Sequence, residues 1–170
     1  MVRHSRNFVA ACLLFLPMLV LAASSMRDLM LQEKNLNKGK PMDASLVLKD
    51  AAGNSHVLAD ELRGPMTVVG ISRGCAPCDQ MLDYFRTAPG PTDGRTLVIV
   101  QYESLEPIQG MPAHVRVYYT SEPSKAPGIL QTSLTPTTFF FSAKRILLGR
   151  RNAFFGTAER TLAPPSEPSP

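Results

Sequence analysis

The sequence is poor in thiol and imidazole side chains, with three cysteines and three histidines among 170 residues. A structural zinc site needs four cysteine or histidine ligands at regular spacing. Cys12 and the histidines lie far apart in the sequence and show no such spacing. We predict that His56 and His114 are surface or edge-strand residues. We therefore expect no metal and no cofactor, and one close pair of cysteines remains, Cys75 and Cys78.

The chain also lacks a strong charge imbalance and the length for two large cores. Its formal net charge of +4 is too small to indicate nucleic-acid binding. Its 170 residues, 44% of them hydrophobic, are enough for one good core. We predict one folded domain and no nucleic-acid partner.

No apolar run has the full length of a membrane-spanning helix. The run Phe8–Ala23 contains Pro17 and is shorter than the ~20 residues that span a bilayer. Basic residues precede it, and the small residues Ala22–Ser25 follow as a cleavage site. We predict that residues 1–24 are a signal peptide, with an uncleaved membrane anchor as the alternative.

Cleavage at this site would change the cysteine content of the mature chain. It removes Cys12 together with two arginines and no acidic residue, which lowers the formal net charge of +4 by two. The apolar run continues past Cys12, which argues against lipid attachment there. An exported protein would then keep only Cys75 and Cys78, in a compartment where dithiols meet disulfide partners.

The tetrapeptide Cys75-Ala76-Pro77-Cys78 lies between a strand-like run, Met66–Ile71, and a helix-like run, Asp79–Arg86. Residues three apart in a first helical turn are neighbours on one face. Their Cα separation falls within the roughly 4.4 to 6.8 Å that a disulfide requires. This pair can therefore open and close with little backbone movement.

The start of a helix also activates a thiol. Unpaired N–H groups and about half a positive charge stabilise a thiolate on Cys75, and Arg73 adds positive charge nearby. Pro77 suits the first turn because its missing N–H is not needed there. We predict Cys75 as the nucleophile and Cys78 as the resolving thiol. A static bridge is the alternative, although closing so short a loop removes little chain entropy.

The remaining pattern predicts an α/β domain at residues 42–162, after a linker at 25–41 and before a disordered tail at 163–170. A continuous apolar run indicates a buried parallel strand, and two pairs of runs joined by turns indicate hairpins. The predicted strands are Ser45–Asp50, Ser55–Leu58, Met66–Ile71, Thr96–Tyr102, His114–Tyr119 near an edge, Leu134–Phe141 and Ile146–Leu148.

This order of motifs resembles the thioredoxin superfamily, and within it the exported TlpA-like or redoxin branch, over about residues 42–150. Leu46–Asp50 and Leu58–Gly64 resemble that branch's extra amino-terminal hairpin and its leucine-arginine-glycine turn. Cys75–Cys78 resembles its active-site motif. The resemblance implies a thioredoxin-like fold, with a central mixed β-sheet flanked by helices and an extra N-terminal β-hairpin.

Thr135-Pro136-Thr137, before three phenylalanines, resembles the family's cis-proline loop. The resemblance implies a cis bond before Pro136, although only about 5 to 6% of such bonds are cis in folded proteins. It also implies that Pro136 lies against the disulfide. The backbone N–H and C=O of Thr135 would then bind an extended substrate chain.

Around the cysteine pair, two features depart from the family pattern. Relatives usually carry an aromatic residue, most often Trp, before the first cysteine, whereas this chain has Gly74 there and no Trp. Many relatives use a buried carboxylate to deprotonate the resolving cysteine, and Met66–Ile71 contains no acidic residue. The proton of Cys78 is then expected to pass to water or to another residue.

The resemblance implies an exported, periplasmic or extracytoplasmic thiol-disulfide oxidoreductase, more often a reductant. Its partners would be cysteine-containing exported proteins and an upstream thiol-disulfide electron donor. Two alternatives stay open. One is a redox-inactive binding or assembly module with Cys75 and Cys78 permanently bridged. The other is a metal-delivery protein in which His114 joins the two cysteines as a ligand.

Overall fold

The structure of the protein is a computed structural model. It describes residues 37–42, 46–61, 64–91, 94–120, 128–130, 132, 134–152 and 162. All of them belong to one compact unit, Asn37–Pro170. The predicted signal peptide or anchor, most of the predicted linker and the predicted tail lie outside these residues. Within the described part, no helix is both long and apolar enough to cross a bilayer.

The described residues form a single sheet of seven strands. Its spatial order is β2-β1-β5-β4-β3-β6-β7. The strands are β1 Val47–Lys49, β2 Ser55–Val57, β3 Met66–Ser72, β4 Thr96–Tyr102, β5 Val115–Thr120, β6 Thr137–Phe141 and β7 Leu147–Asn152. The helical segments are α1 Leu58–Glu61, α2 Ala76–Thr87 and a 3₁₀ turn, Gly128–Leu130. Strands β3, β4 and β5 are parallel and the other pairs antiparallel, which confirms the predicted mixed α/β sheet.

Strands β1 and β2 form the predicted amino-terminal hairpin, and Asp50 holds its turn. The Asp50 carboxylate accepts hydrogen bonds from the backbone N–H groups of Ala52 and Asn54, each at 2.9 Å. Hydrogen bonds from the side chains of Asn54 and His56 hold the pKa of Asp50 well below its usual range. Gly53 takes the positive φ of 87° that this turn requires.

Strand β5 is internal, contrary to its prediction as a strand near an edge. It pairs with β4 along its length, and Lys49 of β1 pairs with Tyr119 on its other side. The hairpin therefore adds two strands outside β5. The contact with β1 is confined to the carboxyl end of β5, and Arg116 near its amino end stays exposed. This partial cover explains the alternating pattern that suggested an edge.

Residues 37–42 pair with the residues that lead into β7. The Gly39 N–H donates to the Leu147 carbonyl at 2.8 Å, and the Leu147 N–H donates to the Lys40 carbonyl at 2.9 Å. The Met42 N–H donates to the Arg145 carbonyl at 2.8 Å. The chain before the hairpin is therefore bound beside β7.

The central strands are buried on both faces of the sheet. Every residue of Met66–Ile71 and of Leu97–Tyr102 is buried, as the continuous apolar runs predict. Alternate residues of a strand point to opposite faces, so two apolar clusters form. Helix α2 packs in a cluster with Val69, Ile71, Cys78, Met81, Phe85, Leu97, Ile99 and Val115. The other cluster includes Leu46, Leu48, Val68, Val98, Val100, Tyr102, Phe139 and Phe141.

Gly70 of β3 is needed because the Tyr102 ring fills the space where a side chain would begin. A Cβ at residue 70 would lie 2.5 Å from both Cε2 and the hydroxyl oxygen of Tyr102. Tyr102 is 2% exposed, and its hydroxyl donates to the Leu130 carbonyl at 3.0 Å. Burial raises the pKa of Tyr102 above its usual value. The ring therefore cannot move without losing packing and this hydrogen bond.

Gly70→Ala is expected to lower the free energy of unfolding by about 2 to 3 kcal/mol, because it overpacks the core and displaces the Tyr102 hydroxyl. Urea denaturation followed by circular dichroism measures the change. The double variant Gly70→Ala/Tyr102→Leu should lose less free energy of unfolding than the two single variants lose when their losses are summed. Equal denaturation midpoints for the wild type and Gly70→Ala would contradict this packing.

Candidate active site

Cys75 and Cys78 form a disulfide at the amino end of α2, directly after β3. Their Cα atoms are 5.1 Å apart, inside the range a disulfide requires. Cys75 caps the helix with extended backbone angles, φ −98° and ψ 100°, and Pro77 lies in the first turn. The helix begins at Ala76, three residues before the predicted start of the helical run. This arrangement confirms the close-spaced pair at a helix start.

The two sulfurs differ in their surroundings. Cys75 is half-buried, whereas Cys78 is 1% exposed. The Cys78 backbone N–H donates to Cys75 Sγ at 3.3 Å. In the reduced protein this N–H and the positive end of the helix dipole would stabilise a thiolate on Cys75. Cys75, the more accessible of the two cysteines, is therefore the one whose thiolate is favoured.

The residues just before Cys75 leave its surroundings open. Gly74 has a positive φ of 68°, and a Cβ built there would have no neighbour within 4 Å. The Arg73 guanidinium forms an ion pair with Glu106, and both side chains are exposed. The positive charge predicted beside Cys75 is therefore paired with the Glu106 carboxylate.

The loop that contains Thr135 and Pro136 lies beside the disulfide. The peptide bond between them is cis, as the resemblance implies, and Pro136 is buried. The Thr135 carbonyl oxygen is 3.4 Å from Cys75 Sγ, although 60 residues separate them in sequence. The disulfide sulfur carries no proton, so this is a van der Waals contact in the oxidised protein. The fold thus brings Thr135 and Pro136 to the cysteine pair.

Hydroxyl groups on both sides of this loop fix its shape, and no sequence motif indicates their contacts. The Thr132 hydroxyl donates to the Leu134 carbonyl at 2.8 Å, and the Leu134 N–H donates to the Thr132 hydroxyl at 3.1 Å. The Thr137 hydroxyl is 2.6 Å from the Leu134 carbonyl oxygen and 2.7 Å from Asn152 Oδ1. These contacts anchor the residues that flank Thr135.

Thr137→Val should loosen the loop without altering the cysteine pair. Valine keeps the shape of threonine but cannot bond Leu134 or Asn152, a loss worth about 1 kcal/mol. If Thr135 binds substrate, KM for a protein disulfide should rise about fivefold. The rate at which the Cys75 thiol reacts with iodoacetamide should stay the same. A KM unchanged from wild type would show that the loop needs no such anchor.

The loop after β4 forms a wall beside α2. Buried Gln101 donates from Nε2 to the Ser104 and Glu106 carbonyls at 3.4 and 3.3 Å. The Ile108 N–H donates to the Tyr119 hydroxyl at 2.8 Å. Ile108 packs against the same apolar cluster as Cys75. The sequence did not predict these contacts, because Gln101 and Tyr119, which hold the loop, belong to separate strands.

The surroundings of Cys78 are apolar, and no group of three His, Cys, Asp or Glu side chains capable of holding a metal occurs among the described residues. His114 precedes β5, and Cys75 follows β3. Because these strands point the same way, His114 lies at the opposite end of the sheet, roughly 17 Å or more along the strands. The metal-delivery alternative therefore gains no ligand from His114.

Comparisons with known proteins bear on the fold. No family model matches the sequence, and no curated protein matches it. A thioredoxin-like protein from Bacteroides caccae superposes with a TM-score of 0.53 at 13% identity, over 76% of this chain and 50% of that one. This chain thus spans half the length of that protein.

Two further structures are similar. A "putative Thiol:disulfide interchange protein DsbE" from Chlorobium tepidum has a TM-score of 0.52 at 17% identity, over 69% of this chain and 84% of that one. A "putative electron transfer protein" from Aquifex aeolicus has a TM-score of 0.50 at 12% identity, over 72% of this chain and 89% of that one. The chain has the fold of the thioredoxin superfamily.

Proposed function

We propose that the protein is a thiol-disulfide oxidoreductase. The observation that carries the proposal is the half-buried Cys75 sulfur, which caps α2 and lies 3.4 Å from the Thr135 carbonyl oxygen. A sulfur in this position meets the three needs of disulfide exchange. It is accessible, its thiolate is stabilised, and its partner Cys78 is close enough to displace a substrate.

In the proposed reaction, the Cys75 thiolate attacks one sulfur of a substrate disulfide and the other substrate sulfur leaves as a thiolate. Cys78 then loses its proton and attacks Cys75 Sγ. The bond between Cys75 and the substrate breaks as the Cys75–Cys78 bond forms. The substrate disulfide gains two electrons, the protein dithiol loses two, and the departing substrate thiolates take up protons.

Substrate binding is proposed for the backbone of Thr135. An extended polypeptide can add to exposed backbone groups as a further strand, with affinity from main-chain hydrogen bonds. The Thr135 carbonyl is near Cys75 Sγ, so a cysteine in such a strand would arrive beside the nucleophile. Gly74, directly before Cys75, leaves open space there, so substrate side chains of several sizes would fit beside the nucleophile.

We further propose that the protein acts after export, as a reductant of cysteine-containing proteins that receives electrons from an upstream dithiol protein. The basic, apolar and small segments of residues 1–24 support export. They also fit a membrane tether. A single close cysteine pair in the mature chain avoids mispairing in an oxidising compartment.

An equilibrium titration of the Cys75–Cys78 pair against glutathione tests this function. An active pair should equilibrate with the buffer and give a potential within the roughly −120 to −270 mV of known dithiol enzymes, nearer the lower value for a reductant. A potential below about −300 mV marks a structural bridge. That result would support the redox-inactive binding module instead, which the apolar surroundings of Cys78 also suit.

A further inference from the structure

Thr138 of β6 has a hydroxyl group that is buried in the sheet. Its side chain is 0% exposed, and its Oγ1 makes no hydrogen bond within the described part of the chain. Most buried hydroxyls in proteins are satisfied, and an unsatisfied one costs free energy that valine in the same place would not. The Thr138 hydroxyl therefore does not stabilise the fold, and its presence needs a functional explanation.

The position of Thr138 places this hydroxyl on the face of the sheet that carries the cysteine pair. Thr138 pairs with Val69 of β3, and directly paired residues lie side by side on one face. Val69 belongs to the apolar cluster that contains Cys78. Thr138 thus lies beside a residue of the apolar cluster that contains the resolving cysteine.

These apolar surroundings oppose the deprotonation of Cys78 that must precede its attack on Cys75 Sγ. Burial among apolar side chains raises the pKa of a thiol, because it disfavours the charged thiolate. The elements packed on this face contribute Met81 and Phe85 from α2, Leu97 and Ile99 from β4, and Arg151 from β7. The Arg151 guanidinium lies over the Phe140 ring, 5.7 Å from its centroid, so this face of the sheet also carries a positive charge.

We propose that the Thr138 hydroxyl is the hydrogen-bond donor that supports Cys78 during resolution. In the reduced protein it donates to the Cys78 sulfur, directly or through one water molecule, and favours the thiolate. Cys78 passes its proton to solvent, attacks Cys75 Sγ and forms the intramolecular disulfide, while the substrate sulfur departs and is protonated. This inference rests on the proposed oxidoreductase function and names the group that assists its second step.

The test separates the two chemical steps with a small disulfide, 5,5′-dithiobis-(2-nitrobenzoate), mixed in a stopped-flow instrument with the reduced full-length protein carrying Cys12→Ser, so that Cys75 and Cys78 are the thiols that react. The first coloured thiolate released reports attack by Cys75. The second reports resolution by Cys78, and its rate is followed against pH. The variants are Thr138→Val, Thr138→Ala and Thr138→Ser, with Thr67→Val as a buried threonine control two residues from Val69 on the same face.

Thr138→Val should slow the second release about tenfold below the pKa of Cys78 and shift its pH profile about one pH unit upward, as expected for loss of a hydrogen bond to a charged group. The first release should not change. Thr138→Ala should show the same slowing, Thr138→Ser should restore the wild-type profile, and Thr67→Val should match wild type.

Superimposable second-phase profiles for wild type, Thr138→Val and Thr138→Ala would overturn the role of Thr138. That outcome is distinct from failure of the proposed function, in which the wild type itself would show no second release. Urea denaturation of each variant identifies any loss of folding. Thr138→Val is expected to be as stable as wild type, because it removes an unsatisfied group and keeps the shape of the side chain.

Discussion

Cys75→Ser is expected to abolish reduction of insulin disulfides, with a loss of at least about a thousandfold, as removal of a catalytic nucleophile causes in other enzymes. Serine fits the same space, so the fold should remain. Its hydroxyl, however, ionises far less readily than a thiol and does not exchange with disulfides. The helix cap and the Cys78 N–H would then have no thiolate to stabilise. Turbidity of released insulin B chain, with dithiothreitol as the electron source, measures the effect.

The chain provides a matched control in its third cysteine. Cys12→Ser makes the same chemical change outside the pair and should leave the rate of insulin reduction unchanged. The circular dichroism spectrum of Cys75→Ser should match that of wild type. Full activity in Cys75→Ser would remove Cys75 from the reaction and with it the proposed role of the helix start.

Cys78→Ser is expected to stop the reaction after its first half. Cys75 can still attack a substrate disulfide, but no neighbouring thiol remains to displace the substrate. The mixed disulfide should therefore persist, with release slowed at least about a hundredfold relative to intramolecular resolution, since an external thiol must replace one held in position. Non-reducing electrophoresis and mass spectrometry of the adduct show which sulfur carries the substrate.

The double variant Cys75→Ser/Cys78→Ser is the control for this trap, because it should form no adduct at residue 75 or 78. An adduct on Cys78 in the single variant Cys75→Ser would reverse the assigned order of the two sulfurs. The burial of Cys78, 1% exposed beside half-buried Cys75, predicts that such an adduct does not form.

Local sequence signals predicted the elements that hold the cysteines. The apolar run before Cys75 and the helical run after Cys78 were sufficient, because a strand and a helix start are determined by neighbouring residues. The turn between β1 and β2 could be predicted for the same reason, because the nearby residues Asp50 and Gly53 determine its shape. The cis bond before Pro136 came from the family resemblance, because proline alone favours the trans form.

Contacts between distant segments could not be predicted. Thr137 and Asn152 meet because β6 pairs with β7, and Glu106 meets Arg73 because the loop after β4 approaches α2. The place of β5 inside the sheet depends on a hairpin more than 50 residues earlier in the chain. The face of the sheet on which the Thr138 hydroxyl lies follows only from the pairing of Thr138 with Val69.

The most direct test of disulfide exchange is to mix fully reduced protein with an equal amount of oxidised insulin, quench with iodoacetamide and quantify the Cys75–Cys78 peptide by mass spectrometry. Exchange predicts one Cys75–Cys78 disulfide formed for each insulin disulfide reduced. A Cys75–Cys78 pair that stays reduced while insulin stays oxidised would contradict the proposed function.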